Sequence, residues 1–468
     1  MFSKKILHLL SLICIVLLYG CASGPSKIKE NESFSSFING NISASLNSLE
    51  EANRDIENKD ITYHLNKSTL LRLNGKGDLS QSTDNLFKAD LVVDNWISEA
   101  KLNIGKTTNE FASYVMASKS RNIYSPKDYE KSFISYSLVL NHLLNGRGDL
   151  ALVNAKRIAE RETTISRFNE LKYSAIQQRE KESSAKNNQI FSDINNINGY
   201  PVQLLDSFEV NSLKNSYQNA AAHYLAAFVF EKEGEPGLAA PGYRLALELK
   251  KNNILFANSL RDLDSKISNL TNQATSEVLI ISESGNIPLL ETHRSNLTFN
   301  TRKGPRIVTI RLPIIKSKIN TFGFGSIKLG DKFVPLFEAV NTDSLVRRQL
   351  KDEMPTHILK ATTQAIVQII AQEAAQAAAE KNNRNNSGMA GAIASIAVGA
   401  ALSVGDTDTR MWSNLPANIH MGRISIPKGS TQLVIQSPNG PQSFNVNITQ
   451  KYQVIYIRSL GTKPFVIH

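Results

Sequence analysis

Leu73-Asn74-Gly75-Lys76-Gly77-Asp78-Leu79 returns as Leu144-Asn145-Gly146-Arg147-Gly148-Asp149-Leu150, with only Lys76 changed to Arg147 within the two runs. Each copy stands between two segments whose apolar residues recur at three and four, the period of a helix face. Upstream lie Tyr63, Leu65, Leu70 and Leu71 in one case and Tyr136, Leu138, Leu140 and Leu143 in the other; downstream come Ser80 to Ala89 and Ala151 to Ala159. A glycine between two such segments can end the first helix in a left-handed conformation, so the run punctuates a helix hairpin. Arg147-Gly148-Asp149 also spells an adhesion tripeptide, but its recurrence with Lys76 identifies it as part of a turn.

A looser third copy contains Tyr224, Leu225, Phe228, Gly234, Ala239, Tyr243 and Ala246. It looks like a tetratricopeptide unit, with a glycine after the first helix and small and aromatic positions in the second. Leu225 stands where such units usually carry Trp, and Pro241-Gly242 is expected to interrupt the second helix. The expectation for 42–272 is therefore an irregular tetratricopeptide-like solenoid, with turns at Gly75, Gly146 and Gly234. Such hairpins bury one face on their neighbours and leave a concave surface for protein partners.

From 273 to 468 the signals change to those of strands. Val278–Ser282, Ile307–Ile314, Thr431–Gln436 and Tyr452–Arg458 are rich in β-branched and aromatic residues, and Gly285-Asn286 and Pro427-Lys428-Gly429 read as turns. The whole is expected to be α+β, with a small sandwich or meander following the helices. A helical insertion interrupts it at about 356–405. Thr356–Asn382 reads as an amphipathic helix, and Gly388–Gly405 carries no charge but many Gly and Ala residues. Small residues permit close helix packing, which suits a buried hairpin, a membrane-inserting segment or an oligomer interface equally well.

The N-terminus reads as an export signal. Lys4 and Lys5 precede the apolar run Ile6–Leu18, and Leu17-Leu18-Tyr19-Gly20-Cys21 has the form of a lipid-attachment site. Residues 1–20 are then a signal peptide, Cys21 carries the acyl chains, and 21–41 is a polar tether. Ala22 and Ser23 offer no inner-membrane retention signal, so the expected address is the periplasmic face of the outer membrane. Cys14 leaves with the signal, so no disulfide is expected.

The chain is formally +11 over 468 residues, a balance that favours anionic lipid, glycan or acidic protein partners. No nucleic-acid motif accompanies the charge, so no nucleic-acid partner is expected. The histidines lack the close spacing of a zinc site, and no nucleophile elbow, metalloprotease or P-loop motif occurs. Neither a cofactor nor a metal is expected, and the chain reads as a non-enzyme.

The densest polar cluster is Asp406-Thr407-Asp408-Thr409-Arg410-Met411-Trp412-Ser413-Asn414-Leu415-Pro416. Asp406, Asp408, Arg410, Trp412 and Pro416 suit either a contact with a partner or an internal brace at a helix exit, with Asp408 and Arg410 as a charge-assisted pair. The Asp408-Thr409-Arg410-x-Trp412-x-x-Leu415-Pro416 run resembles a motif in a family of bacterial envelope lipoproteins with tetratricopeptide-like repeats and no assigned activity. The alanine-rich helix before it and Gly285-Asn286-Ile287-Pro288 extend the resemblance over most of the chain. Thr407, Met411 and Asn414 depart from the Ala, Ser and Arg that the family usually carries there.

The resemblance implies a place in cell-wall or envelope assembly and little about mechanism. The leading expectation is an anchored scaffold recruiting envelope proteins, with self-association through the Gly/Ala-rich helix as a further contact. The alternatives are a membrane-active or transport component using 388–405, and a peptidoglycan-binding protein, which would need a cleft of acidic and aromatic side chains.

Overall fold

A computed structural model describes residues 25–117, 124–185, 194–268, 274–301, 304–315, 323–382 and 407–468. Cys21, Asp406 and the Gly/Ala-rich run 388–405 lie outside the described residues. The helical part comprises α1 (Lys27–Ile38), α2 (Ile42–Ala52), α3 (Ile61–Asn74), α4 (Leu79–Ile104), α5 (Thr108–Ala117), α6 (Asp128–Leu144), α7 (Gly148–Ala185), α8 (Ala220–Lys232), α9 (Pro236–Leu249), α10 (Ile254–Arg261) and α11 (Leu263–Ser268). Strands β1 (Thr275–Ser284), β2 (Leu290–Thr301), β3 (Gly304–Ile315), β4 (Ser326–Leu329), β5 (Lys332–Pro335) and β6 (Phe337–Asn341) follow. After α12 (Thr342–Asn382) come β7 (Asn418–Pro427), β8 (Gly429–Ser437), β9 (Gly440–Ile448), β10 (Tyr452–Leu460) and β11 (Lys463–Ile467).

The strands form a five-stranded sheet in the order β11-β10-β1-β7-β6, a four-stranded sheet β5-β4-β8-β9 and the hairpin β2-β3. In the centre β1 runs parallel to β10 and antiparallel to β7. The two-residue period of β1 divides its side chains between two cores. Val278 and Ile280 join Leu433, Ile435, Val446 and Ile448 of the smaller sheet, while Leu279 and Ile281 face the helices. The molecule is thus helices, a sheet and a second sheet in layers, and the larger sheet is buried on both faces.

Two helices lie against that sheet and are apolar or small nearly all round, as fully buried helices must be. In α6 every residue but Leu143 is buried, and in α8 Ala220 to Glu231 are all buried. Their few polar groups find partners across the layer boundary. Glu231 of α8 accepts from Tyr243 at 2.6 Å and Tyr452 at 2.9 Å and pairs with Arg423 of β7, which also reaches Glu277 at 2.9 Å. Glu283 of β1 accepts from Tyr136 of α6 at 3.2 Å and Tyr456 of β10 at 2.7 Å.

The architecture is α+β, with helices first and sheets last, but the helices do not stack as a regular solenoid. They wrap α6 and α8 and share one continuous apolar core with the sheet. The hairpin turns also differ from one another. Gly146 and Gly234 both have φ 72° and close their helices with paired backbone bonds, Arg147 N to His142 O at 2.8 Å and Glu235 N to Phe230 O at 2.9 Å. Gly75, in a nearly identical heptapeptide, has φ 134° and leads into a single 3-10 turn at Lys76–Asp78.

Three expectations are corrected. The stretch expected as a tether contains α1, because Phe37 and Ser33 are buried against the body and Ser33 exchanges hydrogen bonds with Ser45 of α2. Helix α9 continues through Pro241 and Gly242. There Gly242 permits an approach to α8 so close that an added Cβ would lie 2.9 Å from Ala227 Cβ. The helix expected from 356 begins at Thr342 and runs through Pro355, held at its start by Asn341, which accepts from the Ser344 amide at 3.0 Å.

Candidate functional site

The C-terminal motif leads β7 out of the helical layer, and the structure places its polar groups against other parts of the same chain. Arg410 donates to Asp408 through Nε at 2.9 Å and Nη2 at 2.8 Å, and to Asp60 beside α3 at 2.6 Å. The hydrogen bond with Asp408 is the main reason the guanidinium's pKa is raised. Burial alone would raise the Asp408 carboxyl, but Arg410 and Lys127 outweigh it and hold the group below its ordinary value.

Trp412 is 1 % exposed, its indole donates to Thr69 of α3 at 2.9 Å, and its backbone amide donates to Glu130 of α6 at 2.7 Å. Pro416 is buried at the end of the run, two residues before β7 begins. Ser413 and Asn414 are held by Asn66 of α3. Asp408, Arg410, Trp412 and Pro416 thus form a brace between α3, α6 and the sheet.

Glu130 carries the brace into a cleft. Its carboxylate accepts from the Tyr124 hydroxyl at 2.5 Å and the Lys127 amide at 2.8 Å, as well as from Trp412. Burial pushes its pKa up, and these hydrogen bonds only partly offset that push. Tyr124 has the Arg410 guanidinium 5.4 Å from its ring centre and also forms a wall of the cleft.

The cleft has a volume of about 430 Å³, within the range of small-molecule sites. Four of the helices lining it supply residues at helical spacing: Val92, Trp96 and Glu99 of α4, Asp128 and Lys131 of α6, Phe168 and Lys172 of α7, and Glu353, Thr356 and Lys360 of α12. Tyr114 closes one side from α5. Its walls are aromatic: the Phe168 ring meets Trp96 edge to face at 5.2 Å and Tyr114 at 6.3 Å.

The floor is charged but internally paired. Lys131, 3 % exposed, lies 3.4 Å from the centre of the Trp96 ring and 2.5 Å from Asp128, which also accepts from Asn169 at 2.8 Å. Lys172 pairs with Glu353 at 3.3 Å, and Lys360 donates to the Val115 carbonyl at 2.9 Å. Burial lowers the pKa of Lys131 against the pull of Asp128. Burial would raise that of Asp128, but Lys131 and Lys172 hold it below its ordinary value.

Sequence reasoning did not find this cleft. Its residues come from five stretches between Val92 and Lys360, and the local clue was no more than the face spacing on each helix. Of the expected turn glycines, Gly75, Gly146 and Gly234 all lie away from it. Among the described residues no group of three or more His, Cys, Asp or Glu side chains could hold a metal ion, and no helix is long and apolar enough to cross a membrane. No protein-family model matches the chain, nor does any curated protein or solved structure.

Proposed function

We propose that this protein is a non-enzymatic lipoprotein scaffold, held at the outer membrane through acylated Cys21 and recruiting envelope proteins to that surface. The observation that carries the reading is on α12. Val367 and Ile370, one helical turn apart, are 49 % and 60 % exposed on the helix that leads toward the Gly/Ala-rich run. Apolar side chains so placed gain by being covered, about 25 cal/mol for each Å² removed from water. The brace supports the same reading, since it fixes α3 and α6 to the sheet from which α12 departs.

Anchoring would confine the body to a thin shell beside the bilayer and raise its effective concentration for partners there. The resemblance to envelope lipoproteins motivates a partner in cell-wall or envelope assembly. Crosslinking in cells followed by mass spectrometry tests the proposal, comparing the intact protein, a Val367→Asp/Ile370→Asp variant and one lacking 388–405. The expected result is a reproducible envelope protein captured by the intact form and lost with the double substitution. Capture of no envelope protein by any form overturns it.

A further inference from the structure

The cleft walled by Trp96, Tyr114, Tyr124 and Phe168 is independent of the recruiting surface on α12, and its chemistry selects a different kind of ligand. We infer that it is a saccharide-binding site, taking a short, uncharged oligosaccharide. Three classes of occupant can be compared against the groups that line it.

A strongly acidic ligand would have to compete for lysines already matched. Lys131 is held by Asp128 at 2.5 Å and Lys172 by Glu353 at 3.3 Å, so each anion brought in displaces a carboxylate that then faces it. Glu99 adds a further negative charge at the rim. A wholly apolar ligand would strip water from Lys127, Asn95, Asn169 and Ser125 and give nothing in return.

A sugar satisfies both sets. Its C–H faces stack on flat aromatic carbon, and its hydroxyls both donate and accept, so they can bridge a carboxylate and an ammonium without separating the pair. The cleft wall also holds a covered polar atom without a partner. Thr356 is 4 % exposed, lines the cleft, and its hydroxyl has no hydrogen-bond partner among the described residues. A ligand hydroxyl would satisfy it once the side chain turns toward the cleft. The brace contributes indirectly: through Glu130 it fixes Tyr124, so Asp408, Arg410 and Trp412 act as positioning residues for one wall.

The chain contains two tryptophans, Trp96 in the cleft and Trp412 in the brace, so indole emission reports on few places. The full chain in detergent is titrated with chitotetraose, cellotetraose and maltotetraose, and separately with hexaglutamate, following fluorescence and heat. At least one tetrasaccharide is expected to bind saturably and to change the emission, while hexaglutamate does not bind. Thr356→Val, which exchanges one hydroxyl for a methyl, should weaken binding about fivefold with an unchanged melting midpoint. Trp96→Ala should weaken it by about tenfold or more.

Binding of hexaglutamate but of no sugar would identify the cleft as a site for acidic segments and overturn the inference. So would the absence of binding by all three sugars, or sugar binding that survives both substitutions unchanged. None of these results depends on crosslinking to an envelope protein.

Discussion

The two tryptophans of this chain both touch neighbouring residues of α6, Glu130 in one case and Lys131 in the other, and differ in role. Trp412 has its ring buried, its indole N–H on Thr69 and its backbone amide on Glu130. Trp96 stands in the wall of an open cleft with Lys131 over its face. In the brace Asp408, Arg410 and Trp412 have their partners within the chain, whereas in the cleft wall the Thr356 hydroxyl has none among the described residues. Saturation of partners, more than residue type, separates a structural cluster from a binding one.

The comparison breaks if the two sites respond alike to truncation. Trp412→Ala should cost about 3 to 5 kcal/mol in denaturant unfolding, from the emptied volume and the stranded Thr69 contact. Glu130→Gln is expected to cost less, about 1 to 3 kcal/mol, because its amide would point a donor at donors already there, the Tyr124 hydroxyl and the Lys127 amide. For Trp96→Ala the unfolding cost should be smaller again, about 1 to 2 kcal/mol, from the lost contacts with Lys131 and the Phe168 ring. A loss as large as that of Trp412→Ala would make Trp96 a core residue and the cleft a packing defect.

Acid titration gives the smallest effect and the sharpest contrast, since Asp128 and Glu130 differ in sign. The Asp128 carboxyl is held below its ordinary value of 3.8, so its stabilisation is present above that pH and is lost as pH falls. The Glu130 carboxyl is raised above its ordinary 4.5, so the folded state holds that proton more tightly and stability falls as pH rises through this region. Melting midpoints measured from pH 3 to 6 should therefore show a shallower loss on the acid side for Asp128→Asn than for the native chain. In Glu130→Gln the loss on raising the pH should disappear. Slopes in both variants identical to those of the native chain would show that neither carboxyl is perturbed by its surroundings.

Much of the architecture was legible because local chemistry and final structure agree. The heptapeptide repeats do separate helices, and the β-branched runs around Val278, Ile307, Thr431 and Tyr452 are strands. The Asp408 to Arg410 pairing could be read because the partners are two residues apart. Helix α1 was illegible since Lys-Ile-Lys-Glu-Asn-Glu-Ser is polar enough for a tether, and its order comes from Phe37 packing on a distant part of the chain, with the Arg458 guanidinium 5.7 Å from its ring. Pro241 was expected to interrupt its helix, yet packing against α8 outweighs its local cost, and α12 likewise runs through Pro355. The cleft was beyond reach for a related reason: no stretch carries more than one of its faces.

The parallel pairing of β1 with β10 has a consequence for how the chain comes into being. Glu277 is matched with Tyr452, and every step of that register joins segments far apart along the chain. β7, on the other side of β1, is also distant in sequence, with Thr275 matched to Pro427. Until β7 and β10 have both emerged, Leu279 and Ile281 have no completed sheet around them, and α6 and α8 have no floor to rest on. Closing so long a loop is slow compared with forming the hairpins. A nascent chain would therefore pass through a stage in which its most apolar helices are made but uncovered, the interval in which a holding chaperone would matter most.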